Sequence, residues 1–242
     1  MKLKLKRIHN FSNTKEPNLT LVFLHGIASN SSTWDKATNF LEGTRSMNKN
    51  IRFLSFDWLG FGKSKKSRHF EYNYEEQLTA LENSLEKEVK DGPVILIAHS
   101  MGTLLAAKYA ETHKKQVKRL ILVSPAVFSR EEIKLLTKSD SSISDFYKKI
   151  DSKWLKDRAF TNSMKNIVIN ISNQKTFEKL TTKTDLIYGK NDAFISQSNL
   201  KKLAKTNKKY LKCHETTGRH SITRDKYVKI LEILEKELNE IV

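Results

Sequence analysis

At 242 residues, 38% of them hydrophobic and 29% charged, the chain is long enough for one large domain and too apolar for general disorder. A single cysteine, Cys213, excludes an internal disulfide and an all-cysteine zinc site, and no run of ~18 apolar residues is present to span a membrane. The net charge of +17 comes from 35 Lys and only 9 Arg, spread along the chain among 17 Asn; that pattern fits a compositional bias better than a nucleic-acid interface, which leans on Arg for bidentate contacts.

The basic start, MKLKLKRIHN, is not followed by the apolar run of a secretory signal, so a reducing, cytoplasmic setting is the expectation. Lys2, Lys4 and Lys6 alternate with Leu3 and Leu5, which predicts an edge strand with one solvated face. Short runs apolar on both faces follow: 21–24, 51–56, 94–98, 120–123, 186–188 and, more weakly, 210–213. Such runs suit parallel strands covered by helices. Between them the apolar spacing is helical, as in Leu78, Leu81, Leu85 and Val89, and in Tyr227, Ile230, Leu231, Leu234 and Leu238. Strand–helix alternation predicts an α/β fold, a doubly wound and mostly parallel sheet. About 59 residues separate Pro125 from Asp185, too many for a plain connection. Their spacing (Ile133 and Leu136; Phe146, Ile150 and Trp154; Met164, Ile167 and Val168) predicts a small helical cap insertion over 127–182, with 1–126 and 183–242 as the core. The insertion is either a lid over a site or a packed decoration.

The sharpest chemical signal is Ala98-His99-Ser100-Met101-Gly102, between a buried strand and a helix. A serine on so tight a turn is forced outward, and small residues two before and two after it allow the turn. The helix behind it aims free N–H groups at the site. His25-Gly26-Ile27-Ala28-Ser29 follows the first buried strand, where a glycine lets the loop fold over the strand end. The N–H groups of Ile27 and Met101 are then the candidate oxyanion donors, and His25 is read as shaping its loop. Asp192 follows the fifth buried strand and His220 precedes the last helix, 92 and then 28 residues further on. The order Ser, Asp, His at the carboxyl ends of parallel strands makes Ser100, Asp192 and His220 a candidate triad. His214 stays open as an alternative histidine. Asp185, ahead of its strand, belongs at the opposite edge; His99 is read as packing and Cys213 as a strand residue. No His/Asp/Glu spacing resembles a metal site.

These motifs resemble the α/β-hydrolase superfamily in its single-domain lipase/esterase branch, over nearly the whole chain from His25-Gly26 to the last helix. Asp57-Trp58-Leu59-Gly60-Phe61-Gly62-Lys63-Ser64 matches the family's Asp-x-x-Gly-x-Gly-x-Ser loop, which is structural there, so the resemblance gives Asp57 no catalytic role. Ala98 stands where the family's common pattern has Gly. A serine nucleophile argues against haloalkane dehalogenases and epoxide hydrolases, which use Asp, and the elbow lacks the Gly-Gly-Ser-Trp-Gly of prolyl iminopeptidases. The expected activity is hydrolysis of short- to medium-chain carboxylic esters through an acyl-enzyme, with no cofactor and a small-molecule ester as substrate. Trp34, Trp58, Phe128, Phe146, Trp154 and Phe160 are candidates for the acyl pocket. The competing readings are another Ser-triad reaction (thioester, lactone, amide or C–C cleavage), a ligand-binding relative without turnover, and a basic surface that docks weakly on anionic lipid or nucleic acid through Lys201, Lys202, Lys205, Lys208, Lys209 and Lys212.

Overall fold

The structure is a computed structural model; it describes residues 2–43, 50–138, 154, 156–225 and 227–241. Among the described residues seven strands form one sheet: β1 (Lys6–Ser12), β2 (Leu19–Leu24), β3 (Ile51–Asp57), β4 (Val94–His99), β5 (Val117–Val123), β6 (Thr184–Gly189) and β7 (Leu211–Thr216). Their spatial order is β1-β3-β2-β4-β5-β6-β7, with β1 antiparallel to β3 and every other pair parallel.

The alternation of side chains along β2 explains its wholly apolar sequence. Leu19, Leu21 and Phe23 enter one core with Trp34, Phe53, Ile95, Ile97 and the last helix; Val22 and Leu24 enter the other with Leu96, Leu104, Leu122 and Phe160. Helices cover both faces, as a parallel sheet requires. They are α1 (Asp35–Gly43), α2 (Tyr74–Glu88), α3 (Met101–Thr112), α4 (Arg130–Leu136), α5 (Arg158–Ser163), α6 (Ser172–Lys179), α7 (Gln197–Thr206), α8 (Ile222–Asp225) and α9 (Tyr227–Ile241). None is long and apolar enough to cross a membrane.

The edge strand lies later than the Lys/Leu alternation predicts. Pairing starts at Lys6, opposite Asp57 where β3 ends, and runs to Ser12 opposite Arg52. Leu5 is instead buried, with its N–H on the Ser84 hydroxyl at 2.9 Å. Asp185 is inside β6, not ahead of it. Between β5 and β6 the described residues form α4, α5, a π-helical turn (Met164–Val168) and α6. Phe146 and Ile150 lie outside the described residues.

The chain runs from β2 to β3 on one side, then crosses to β4 on the other, so the connections after β2 and β4 diverge. A crevice opens at the carboxyl ends of strands at such a point. The loops after β2, β4, β5, β6 and β7 all end there.

Candidate active site

Ser100 is the N-cap of α3, with φ +50° and ψ −119°, a conformation that non-glycine residues rarely adopt. An N-cap serine normally turns its hydroxyl onto its own helix. Ser100 makes no such cap bond; its Oγ lies 3.0 Å from His220 Nε2. The turn needs room behind it. A Cβ on Gly102 would come within 2.5 Å of the His25 carbonyl oxygen, and a Cβ on Gly26 within 2.9 Å of both Ser100 Cβ and His99 Nδ1. Ala98, by contrast, is fully buried in β4.

His220 is half-buried, between the rings of His99 (centroids 4.9 Å apart) and Phe194 (5.1 Å). Its Nδ1 lies 2.9 and 3.0 Å from the two carboxylate oxygens of Asp192. A carboxylate only accepts, so Nδ1 carries the proton and Nε2 is left to accept from the Ser100 hydroxyl. Burial by itself would raise the Asp192 carboxyl's pKa. The hydrogen bond and charge of His220, with the Phe194 N–H and the Ser124 hydroxyl, outweigh burial and hold it below the usual carboxylate range. Two backbone bonds place the loops that carry these residues: Lys190 N–H donates to Thr216 O (2.8 Å) and Asn191 N–H to Gly218 O (3.0 Å).

Ile27 lines the crevice facing Ser100, and Met101 opens α3 directly behind it. Three contacts hold the loop bearing Ile27. Trp58 N–H donates to His25 Nε2 (3.0 Å), Trp58 Nε1–H to the His25 carbonyl (2.9 Å), and His25 Nδ1–H to the Gly26 carbonyl (2.7 Å). Burial pushes the His25 pKa down to about 4, so it is a neutral, loop-shaping histidine. Asp57 ties the neighbouring loops by accepting from Ser31 N–H (2.7 Å) and Lys63 N–H (2.8 Å). Gly62 (φ +51°) is required because a Cβ there would strike Asp57 Oδ2.

In front of Ser100 the described residues line a cavity of about 340 Å3. Phe128, Trp154, Phe160, Met164, Val168 and Phe194 form its apolar wall. The structure thus brings Phe128, Trp154 and Phe160 to the cavity but not Trp34 or Trp58. Trp34 is fully buried against Phe23 on the opposite face of the sheet, and Trp58 is fully buried beneath the His25 loop. A tryptophan so buried wedges sheet against helix and presents no surface to a ligand. Phe194 escaped sequence reasoning, although it follows Asp192 by two residues in the same loop.

His214 does not meet Asp192. Its Nε2 lies 2.6 Å from Asp185 Oδ1, while Arg119 Nε donates to Asp185 Oδ2 at 2.8 Å. Asp185 and His214 therefore form a separate cluster on β5, β6 and β7. Cys213 is in β7, and burial pushes its thiol up to about 11, which keeps it protonated at neutral pH. Among the described residues no group of three His, Cys, Asp or Glu could hold a metal ion.

Residues 20–157 match the α/β-hydrolase fold family. The chain belongs to that family. Curated relatives include the probable lysophospholipase BODYGUARD 1 of Arabidopsis thaliana, 37% identical over 109 residues, 45% of this chain and 23% of that one. A second is the 1-acylglycerol-3-phosphate O-acyltransferase ABHD5 of Sus scrofa, 35% identical over 128 residues, 50% of this chain and 32% of that one. The chain therefore spans about a quarter to a third of the length of these relatives. The fold is shared with a carboxylesterase of Nitrososphaera gargenis (TM-score 0.72, 14% identity, covering 97% and 94% of the two chains). It is shared as well with the haloalkane dehalogenase DbeA of Bradyrhizobium elkani (TM-score 0.73, 15% identity, covering 100% and 96%). One α/β-hydrolase scaffold thus carries different chemistries, and the side chains at the strand ends must distinguish them.

Proposed function

We propose that this α/β hydrolase is a serine esterase that cleaves carboxylic esters of short to medium acyl chains. The observation that carries the reading is the hydrogen-bonded series Ser100–His220–Asp192 opening onto an apolar cavity. Ser100 Oγ attacks the ester carbonyl carbon while His220 Nε2 takes its proton. The carbonyl oxygen becomes an oxyanion, received by the N–H groups of Ile27 and Met101. Asp192 stabilises the imidazolium and holds its tautomer. The intermediate collapses, the C–O bond breaks, and His220 passes the proton to the departing alcohol. Water, deprotonated by His220, then releases the acid from the acyl-enzyme. Phe128, Phe160, Met164 and Val168 offer the acyl chain an apolar wall.

The test is hydrolysis of p-nitrophenyl esters from acetyl to palmitoyl, with wild type beside Ser100→Ala. The expected result is a fall of ~10³-fold or more in the variant, and a wild-type rate that peaks at short to medium chains. A fluorophosphonate should label wild-type Ser100 and leave the variant untouched. Equal turnover in both proteins, or a wild type inert to both esters and phosphonate, overturns the reading.

A further inference from the structure

The side chain of His220 is held by Asp192 and Ser100, but its main chain is held as well. The His220 carbonyl accepts from His99 Nε2–H at 2.9 Å and from the Ser124 hydroxyl at 3.3 Å. These donors come from different strands: His99 ends β4, and Ser124 immediately follows β5.

Each donor is held at a cost. A carbonyl accepts only, so the His99 proton sits on Nε2 and Nδ1 is a bare lone pair. That Nδ1 is buried without a partner, close against Gly26. Burial, reinforced by the neighbouring His220, pushes the His99 pKa down to about 3, so the ring stays neutral and its donor stays in place. Ser124 is fully buried with φ +49°, in the left-handed region that favours glycine. Its own N–H is tied to the Ile187 carbonyl at 2.7 Å. Its single hydroxyl proton is shared between the His220 carbonyl and the Asp192 carboxylate. An orphaned imidazole nitrogen and a left-handed serine thus converge on one carbonyl, and such strain collects at sites where geometry matters.

The loop they hold is also tied at Gly218, whose carbonyl accepts from Asn191 N–H at 3.0 Å. It follows the edge strand β7 and contains Gly218 at φ +132°, which a β-carbon would disfavour. We propose that His99 and Ser124 are positioning residues that clamp the main-chain carbonyl of His220 and so keep its imidazole in line between Asp192 and Ser100. The proposal rests on the reading of His220 as the general base. Neither residue donates or accepts a proton in the reaction; His99 acts through the placement of His220, and Ser124 through that placement and its contact with Asp192.

Ser124→Gly separates positioning from structure. Glycine removes the hydroxyl but suits the left-handed backbone, so Tm should hold or rise while kcat falls about 10- to 100-fold, with KM little changed. Fluorophosphonate labelling of Ser100 should slow in parallel. The low-field NMR signal of the His220 Nδ1 proton should broaden or vanish. His99→Leu should do the same, and His99→Gln, which retains an N–H donor, should recover part of the rate. Wild-type kcat, labelling and NMR signal in Ser124→Gly and His99→Leu would sink the clamp while leaving the esterase reading intact. A wild type that neither labels nor turns over ester removes the general base and the clamp together.

Discussion

Ser100, Gly102 and Gly26 show how little slack a single residue has at this site. Alanine suits a helix interior better than glycine by about 1 kcal/mol, so by propensity alone Gly102→Ala should stabilise α3. The added Cβ would lie 2.5 Å from the His25 carbonyl oxygen, and a backbone atom cannot swing aside as a flexible side-chain end could. Overpacking of this kind costs ~1–3 kcal/mol, so the clash wins. The expected outcome for Gly102→Ala is a Tm lower by a few degrees. Esterase activity should drop with it, because the displaced loop carries Ile27. A variant as stable and as active as wild type would show that the elbow has more room than the geometry gives it. Gly102 and Ala98 are legible in the sequence as small residues flanking Ser100. That Gly26 packs on the same turn is not, because their contact joins residues more than seventy positions apart.

At the scale of elements, the carboxyl ends of the strands hold the candidate chemistry, and the opposite end of the sheet has a charge cluster of its own. Asp185 near the start of β6 is buried between Arg119 on β5 and His214 on β7, stitching three neighbouring strands together. Burial disfavours its charge, but the two hydrogen bonds and the charge of Arg119 prevail and hold its pKa below the usual range. Removing the carboxylate takes a hydrogen-bond partner from two side chains that are themselves largely shielded from solvent. Asp185→Asn should therefore destabilise the protein by about 3 kcal/mol in urea unfolding, with the activity of the folded fraction little changed. A loss below ~1 kcal/mol would mean that solvent compensates the cluster, and a specific loss of turnover would link it to the site. The sequence offers Asp185 and His214 as isolated residues. Only strand register makes them neighbours, with Ile187 paired to His214 across β6 and β7.

For the whole molecule, two wholly buried histidines set the response to acid. Burial pushes His25 and His99 down from 6.5 to about 4 and about 3. Unfolded, each takes up a proton near pH 6.5; folded, each resists until well below that. Between these limits the unfolded state binds up to two more protons, so stability falls as pH falls, by up to about 1.4 kcal/mol per histidine per pH unit. Asp185 and Asp192 act in the same direction at lower pH. Their depressed pKa values contribute stability that is present above the ordinary aspartate value of about 3.9 and lost as pH drops through the folded ones. Urea midpoints should thus be clearly lower at pH 5 than at pH 7, and His99→Gln, which takes up no proton, should remove about half of that difference. Equal midpoints at the two pH values in wild type would contradict the burial of these rings.

Periodicity, glycine placement and residue order by themselves determined the α/β class, the six buried strands that became β2 to β7, and Ser100, Asp192 and His220 at the ends of three of them. Those features are local: a buried parallel strand must be apolar on both faces, and a tight turn after it must be flanked by small residues. Tertiary structure alone decided which aromatic residues face the cavity and which wedge the core. Trp34 and Trp154 read alike in a sequence, yet one lies beneath the sheet and the other at the site. It also decided that His99, a packing residue by its position beside Ser100, donates to the carbonyl of a residue 121 positions away. Side-chain chemistry is written in the sequence, but the partner that satisfies it is chosen by sheet order and strand register, which depend on the whole chain at once.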